Sequence, residues 1–488
     1  MGGVRGRRGR AAPLRVAARV LAHEKADVHR ACMPQTSVNP ATGDVLAVIA
    51  DHSDEEVERR VARAASAARK WRDTPLNSRV ALLRRMADLL DAEREALARL
   101  ATLEMGKPIE SSRQEVAKCA HACRYYAEMA PGFLAPERVV RDEHEDGAVH
   151  FLPLGVLLAI MPWNFPYWQA IRAAAPALAA GNVVMLKHAS NVPQCALAIE
   201  RLFVEAGAAD GAFTTLLVSA ARAGALIDDE RVAAVTLTGS EPAGRDVGAR
   251  AGRAVKPCVL ELGGSDPFVV LSSADVQAAA ETAVRARCIN NGQSCIAAKR
   301  FIVHADVYDT FAERFTSAMR ALRVGDPLLD ATDVGPLATA AIRAEVDDQV
   351  RRTVAAGARV LCGGTVPAGP GHFYPPTVLA AVPRDSAAAR EEVFGPVAPL
   401  FRVNSADEAL ALANDTTFGL GSAVWTRDAA EARRFADGIE AGTVFINGMM
   451  ASDPRFPFGG IKTSGIGREL AREGLRSFVN VKTVRGAP

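Results

Sequence analysis

The sequence has no paired-cysteine motif, no long apolar run and no excess of charge of either sign. Its eight cysteines are scattered over 488 residues without a CxxC pair, which is typical of structural thiols in a reducing compartment such as the cytoplasm. No apolar run reaches the roughly 18 residues that a membrane-spanning helix needs. Lys and Arg number 58 against 56 Asp and Glu, so the charge balance indicates neither nucleic acid nor a membrane surface as a partner.

A metal site is the first function to weigh for the cysteines, because two of them are close in sequence. Cys119 and Cys123 stand four residues apart with His121 between them, on a segment with helical periodicity. Zinc needs two further ligands, and none is spaced nearby. Buried packing explains the pair better, and we expect no metal site.

The length predicts two or three domains, because 488 residues exceed one ordinary hydrophobic core. Residues 1–35 form a separate block with six arginines before the first acidic residue, Glu24. The block resembles an organellar transit peptide, but we favour a disordered basic arm or a start codon placed too far upstream. We expect the folded part to begin near Thr36.

The order of the predicted elements indicates an α/β protein. Residues 53–129 repeat apolar residues three and four apart, as amphipathic helices do, with Ser53 or Asp54 as the first cap. The stretch 138–155 suits an antiparallel ribbon. From there strands and helices alternate, which implies right-handed βαβ units and parallel sheets.

Two residues stand out for their reactive side chains. Cys295 lies in NNGQSC, where a glycine and small polar residues suit a loop that exposes a thiol, and the thiolate is a strong nucleophile. Glu261 closes an apolar strand in VLELGGSDPF, and apolar surroundings move the pKa of a carboxyl toward the range of a general base. Taken singly, a buried structural cysteine and a salt-bridged glutamate are the commoner explanations.

Two further motifs suggest anion binding. Asn164 lies in MPWNFP, where flanking prolines hold its amide rigidly enough to donate to an oxyanion, although a turn asparagine is the simpler explanation. LTGSEPAG, residues 237–244, follows a strand and precedes a helix, so its backbone N–H groups can point at a phosphate. That turn is not the usual GxGxxG and is a weak signal alone.

Together with LKHAS, EEVFGP and FPFGGIKTSGIGREL, these four features resemble the aldehyde dehydrogenase superfamily, in the family's order from Thr36 to Val484. More narrowly, KHASNVPQCA and NNGQSCIAAKRFIVH look like bacterial succinate-semialdehyde dehydrogenases. The resemblance implies a homodimer or homotetramer with an open α/β cofactor domain, an α/β catalytic domain and a small β oligomerisation arm. The corresponding residues are 36–137 and 156–260, then 261–445, and finally 138–155 with 470–488.

The resemblance also implies a role for each matching residue. Cys295 would be the nucleophile, Glu261 the base that activates the deacylating water, and Asn164 an oxyanion donor with the Cys295 backbone N–H. The cofactor would be bound by Trp163, Lys187, Ser190, Gly239, Ser240, Gly244, Leu262, Glu392 and Phe394.

The expected substrate is succinate semialdehyde. Its distal carboxylate is expected to meet Arg172, Ser294 and Ser452, because an arginine fork and hydroxyls bind carboxylates and related enzymes use these positions. NADP⁺ is the expected cofactor, with NAD⁺ also accepted, because Ser190 stands where strongly NAD-preferring relatives have a glutamate. A dehydrogenase of the same mechanism with a broader aldehyde range is the alternative.

Three rival functions are weaker. A cysteine hydrolase needs a histidine partner, and none of the nine histidines lies beside a recognisable motif. A non-catalytic relative would be expected to lack Cys295, Glu261 or Asn164. A coenzyme-A-acylating enzyme usually lacks the base glutamate, so Glu261 favours hydrolysis to the free acid.

Overall fold

The structure is a computed structural model that describes residues 34–486 together with Gly2. The prediction of a disordered arm over residues 1–35 therefore falls almost wholly outside the described residues. Residues Pro34–Pro488 form one compact unit.

Helices make up much of the described chain. Those in residues 34–486 are α1 (Asp54–Arg72), α2 (Leu76–Ala92), α3 (Arg94–Met105), α4 (Ile109–Leu134), α5 (Trp168–Ala180), α6 (Pro193–Glu205), α7 (Ala220–Ile227), α8 (Glu241–Arg253), α9 (Val276–Cys288), α10 (Ala305–Ala321), α11 (Ala340–Ala355), α12 (Ala387–Arg390), α13 (Ala406–Asn414), α14 (Ala429–Gly438) and α15 (Ala471–Arg476). None of these helices is both long and apolar enough to cross a bilayer.

The strands of the same residues belong to four sheets. They are β1 (Gln35–Val38), β2 (Val45–Ile49), β3 (Glu137–Arg141), β4 (Asp146–Pro153), β5 (Val156–Met161), β6 (Val183–His188), β7 (Phe213–Thr215), β8 (Val232–Thr238), β9 (Cys258–Glu261), β10 (Pro267–Val270), β11 (Arg300–His304), β12 (Arg359–Cys362), β13 (Thr377–Ala380), β14 (Val397–Val403), β15 (Gly421–Trp425), β16 (Thr443–Ile446), β17 (Gly465–Ile466) and β18 (Val479–Gly486).

The first large sheet has the order β17-β9-β8-β5-β6-β7. Strands β5 to β9 are parallel, as predicted, and β17 joins the edge antiparallel to β9. The chain runs outward from β5 through β6 to β7 and then returns to build β8 and β9 on the other side. The strand order therefore reverses at β5 and β8, and open α/β sheets bind ligands in the crevice outside such a point.

The second large sheet has the order β12-β13-β14-β11-β10-β15-β16. All of its strands are parallel except the edge strand β12. Together, the two sheets and their covering helices confirm the predicted α/β fold class. Their strands are apolar and mostly buried, as expected for parallel strands covered on both faces.

The predicted antiparallel ribbon is a three-stranded sheet of order β18-β4-β3. The helical prediction for residues 53–129 holds, and Ser53 caps α1 by accepting from the Glu56 N–H at 3.2 Å. The chain leaves helical geometry at Glu93, which separates α2 from α3. Both helices pack on α4, a contact that local periodicity does not reveal.

Candidate active site

The thiol of Cys295 lies where two cavities meet. The larger, about 650 Å³, opens at the carboxyl ends of β5 and β8 and is lined by Asn164, Gly239 and Cys295. The smaller, about 190 Å³, lies between α4 and α5 and is lined by Arg172, Ser294 and again Cys295. A thiol in this position can react with a molecule in one cavity while a second molecule occupies the other.

The turn before the nucleophile is held in an uncommon backbone conformation. Asn290, Asn291 and Gly292 have φ values of 54°, 59° and 75°, the left-handed region that asparagine and glycine tolerate best. The Asn291 amide donates to two carbonyls at 3.0 and 2.9 Å and accepts from the Gly335 N–H at 2.8 Å. These bonds offset the strain and fix the path of the loop into Cys295.

Lys299 is hydrogen-bonded to the loop that carries Cys295. Its buried ammonium donates to the carbonyls of Ser294 and Cys295 at 2.9 and 2.8 Å and lies 3.3 Å from the Glu392 carboxylate. Gly264 packs so closely here that a Cβ would come within 2.7 Å of the Cys295 carbonyl oxygen. The backbone that carries the thiol is therefore fixed on both sides.

Burial raises the pKa of Cys295 to about 12, although the charges of Lys299 and Arg172 act in the opposite direction. The resting side chain is therefore a thiol at neutral pH. Forming the thiolate requires a nearby base or a change of environment when ligands bind.

Asn164 faces the same cavity as the thiol and is tied to its loop. The side-chain Nδ2 donates to the Gln293 carbonyl at 3.1 Å, and the backbone carbonyl of Asn164 accepts from Asn290 at 2.7 Å. One of the two amide hydrogens is used by Gln293, and the other remains available in the cavity. The amide therefore has the rigidity that an oxyanion donor needs.

Glu261 ends β9 and is buried, with no hydrogen-bond partner for either carboxylate oxygen among the described residues. Desolvation and the nearby carboxylate of Glu469 raise its pKa well above the usual range. Glu261 lines neither of the two cavities, and its charge contributes to the raised pKa of the Cys295 thiol. An unpartnered buried carboxylate with a raised pKa is suited to proton transfer.

Most of the residues predicted to bind the cofactor gather around the larger cavity. Its lining includes Trp163, Gly239, Ser240, Leu262, Glu392 and Phe394. Gly244 does not line it but packs against Leu262, where a Cβ would collide with the leucine side chain. Lys187 and Ser190 also lie outside the lining, at the carboxyl end of β6 beside β5.

One end of the larger cavity is suited to binding the phosphate groups of a dinucleotide. Ser240 is the N-cap of α8, yet its hydroxyl makes no capping hydrogen bond, so the first turn of this 13-residue helix keeps free N–H groups at the cavity wall. Such an N-terminus attracts phosphate oxygens. At the other end Phe394 packs edge-on against Trp163 with centroids 5.8 Å apart, and Glu392 accepts from the Gly264 N–H at 3.0 Å.

The smaller cavity contains all three residues that were predicted to bind a substrate carboxylate. Arg172, Ser294 and Ser452 line it, but the Arg172 Nε lies 2.5 Å from a carboxylate oxygen of Glu469. The sequence prediction missed Glu469, Lys299 and Lys118. Glu469 and Lys299 are charged residues in otherwise apolar or motif-rich segments, which was a usable signal, whereas Lys118 looks like an ordinary surface residue of a helix.

Comparison with known proteins gives a consistent result. The sequence profile of the aldehyde dehydrogenase family matches residues 29–484. Succinate-semialdehyde dehydrogenase [NADP(+)] 1 of Mycobacterium tuberculosis is 55% identical over 454 residues, which are 93% of this chain and 99% of that protein. The corresponding Mycobacterium leprae enzyme is 53% identical with the same coverage.

Solved structures agree with these sequence matches. The crystal structure of succinic semialdehyde dehydrogenase from Streptococcus pyogenes, in complex with NADP⁺ as the cofactor, superimposes with a TM-score of 0.90. It is 38% identical, and the alignment covers 92% of this chain and 99% of that one.

Proposed function

The chain belongs to the aldehyde dehydrogenase family, and from this membership we propose that it oxidises succinate semialdehyde to succinate with NADP⁺, as in GABA degradation. One observation carries the proposal: the Cys295 thiol lies between a dinucleotide-sized cavity and a small cavity whose lining includes Lys118 and Arg172. The relatives whose names state this activity support the choice of substrate and cofactor.

In the proposed reaction the Cys295 thiol loses its proton to solvent, and the resulting thiolate adds to the aldehyde carbon. The Asn164 amide and the Cys295 backbone N–H donate to the oxyanion. A single donor of this kind contributes about 3–4 kcal/mol to the transition state. A bound nicotinamide dinucleotide supplies the two-electron oxidant that takes the adduct to a thioester. Glu261 then takes a proton from a water molecule, which attacks the thioester carbon and releases the acid and the thiol.

We assign the residues around the dinucleotide cavity in three groups. Lys187 and Ser190 would hold the adenosine ribose and its 2′-phosphate. The turn with Gly239 and Ser240, kept close to the sheet by Gly244 and Leu262, would hold the pyrophosphate. The nicotinamide half would meet Trp163, Glu392 and Phe394.

The test of the proposed function is a panel of aldehydes with and without a distal carboxylate, assayed with each cofactor by absorbance at 340 nm. We expect the highest kcat/KM for succinate semialdehyde with NADP⁺. A higher value for an uncharged aldehyde such as butanal would contradict the substrate, and a higher value with NAD⁺ would contradict the cofactor.

Replacing Ser190 with glutamate is expected to lower kcat/KM for NADP⁺ by about 10- to 100-fold, because a carboxylate would repel the 2′-phosphate in place of a small hydroxyl. Activity with NAD⁺ should change little, since a glutamate can accept from the 2′-hydroxyl. Ser190 is exposed in the turn after β6, so the variant should fold normally. Ser190→Gln is the uncharged control, and equal losses with both cofactors would contradict the assignment.

We further propose a homodimer or homotetramer in the cytoplasm. The edge strand β18 is exposed along almost its whole length and presents Val481 and Val484 to solvent, as a strand that pairs with another subunit would. The cysteines of residues 34–486 are all free thiols, which suits a reducing compartment.

The domain division also stays a proposal, with cofactor residues 36–137 and 156–260 and catalytic residues 261–445. Glu261 is the last residue of β9 in the first sheet, so we move that boundary to follow it. The oligomerisation arm keeps residues 138–155 and strand β18. Helix α15, which also lies within residues 470–488, packs on α4 and α5 and is left out of the arm.

A further inference from the structure

The small cavity beside Cys295 contains three charged side chains whose partners differ. Its volume of about 190 Å³ corresponds to about six water molecules at roughly 30 Å³ each, enough for a short aliphatic molecule. Glu115, Lys118 and Arg172 all line it. Whether the cavity attracts an anion depends on which of these charges is already neutralised inside the protein.

The negative charge of Glu115 is fully engaged. One carboxylate oxygen accepts from the backbone N–H groups of Tyr167 and Trp168 at 2.8 Å each. The other forms a buried ion pair with Lys107. Glu115 therefore positions the start of α5 and is not free to pair with another cation in the cavity.

The positive charge of Arg172 is engaged as well. Its Nε lies 2.5 Å from Glu469, its Nη2 donates to the Thr238 hydroxyl at 3.1 Å, and its guanidinium stacks over Phe458 at 4.9 Å. Both partners of the ion pair are buried. A substrate carboxylate at Arg172 would have to share the guanidinium with Glu469.

Lys118 differs from Glu115 and Arg172 in that no carboxylate of residues 34–486 pairs with its charge. Its ammonium lies over the Trp168 ring at 4.4 Å and donates to the Ser452 hydroxyl at 2.7 Å. Among the described residues it has no carboxylate within ion-pair distance. The carboxylates whose charges act on Lys118, Glu115 and Asp453, are paired with Lys107 and Arg455. A partly buried cation without an anionic partner is unfavourable unless a ligand supplies the charge.

We propose that Lys118, with the Ser452 hydroxyl, binds the distal carboxylate of the substrate, and that Arg172 and Glu469 form a fixed pair behind it. The proposal rests on the proposed function and names the residue that selects the substrate. Lys118 and Cys295 line the same cavity, so a four-carbon aldehyde acid can place its carboxylate at one and its carbonyl at the other. Carboxylates bind preferentially to such charge-assisted donors.

Replacing Lys118 with methionine keeps most of the length of the side chain and removes the charge. We expect kcat/KM for succinate semialdehyde to fall by about 10- to 100-fold, mainly through KM, because a hydrogen bond to a charged group is lost. Butanal, which has no carboxylate, should be oxidised at an unchanged or higher rate. Lys118→Arg should restore most of the preference, and Lys70→Met, on the exposed face of α1, is the matched control.

Calorimetric titration with succinate gives a measurement independent of turnover. The wild-type protein with bound cofactor should bind succinate about 10- to 100-fold more tightly than Lys118→Met, and thermal unfolding of each variant should show that both are folded. If the wild-type enzyme does not prefer succinate semialdehyde to butanal, the proposed function fails. If it does and Lys118→Met keeps that preference, the function stands and the assignment of Lys118 is wrong.

The preference should also depend on pH. Burial, together with the charge of Arg172, lowers the pKa of Lys118 to about 8, while the charges of Cys119, Glu115 and Asp453 act in the opposite direction. The ammonium is lost as the pH rises through this value, so the ratio of kcat/KM for succinate semialdehyde to that for butanal should fall above about pH 8. Ionisation of Cys295 affects kcat/KM for both substrates in the same way and therefore does not change the ratio. In Lys118→Arg the ratio should stay flat, and a wild-type ratio that stays equally flat would overturn the proposal.

Discussion

Replacing Cys295 with alanine is expected to lower kcat by about 10⁴-fold or more, because the proposed reaction has no covalent route without the thiol. The dinucleotide cavity is shaped mainly by the ends of β5 and β8, so cofactor binding should remain within about twofold of the wild type by fluorescence titration. Loss of turnover with retained binding would locate the defect in the chemical step.

The matched control is Cys362→Ala, which removes a partly buried thiol from the edge strand β12. This variant should keep normal activity. If Cys295→Ala retained more than a few per cent of wild-type turnover, the covalent mechanism would be wrong. An equal loss in Cys362→Ala would instead indicate a general sensitivity of the fold to thiol removal.

Replacing Glu261 with glutamine is expected to lower kcat by about 10²- to 10⁴-fold, because an amide cannot accept the proton of the attacking water. The substitution preserves size at a buried position where the carboxylate oxygens make no hydrogen bond within the described residues. Deacylation should become rate-limiting. Rapid mixing should then show a burst of about one reduced cofactor per active site, followed by slow turnover.

The pH profile offers a second measurement of the same residue. Burial raises the pKa of Glu261 well above its usual range, and a base is active only above its pKa. Wild-type kcat should therefore fall as the pH is lowered through that raised pKa, whereas Glu261→Gln should lack this acidic limb. Glu128→Gln, an exposed residue of α4, is the control. A slow variant with no burst would place Glu261 before thioester formation and contradict its assigned role.

The parallel sheets and the reactive groups could be predicted from local patterns. The alternation of apolar strands with helices predicted the parallel sheets, because burial on one or both faces leaves a periodic pattern in neighbouring residues. The roles proposed for Cys295, Glu261 and Asn164 came from the family resemblance that their motifs carry together, since each motif alone favoured a structural explanation. Few residue types can serve as a nucleophile, a base or an amide donor, and each of these three residues lies at the end of a strand or in a turn.

The pairing of charges in the substrate cavity was decided only by the tertiary structure. Arg172 meets Glu469, and Lys118 meets Ser452, across 297 and 334 residues of sequence. Local periodicity carries no information about such distant partners. The sequence therefore could not predict that Glu469 neutralises Arg172, or that Lys118 is the cation in this cavity without a carboxylate partner among the described residues. The net charge inside a cavity depends on side chains from different helices and strands that folding brings together. This net charge determines where an anionic substrate can bind.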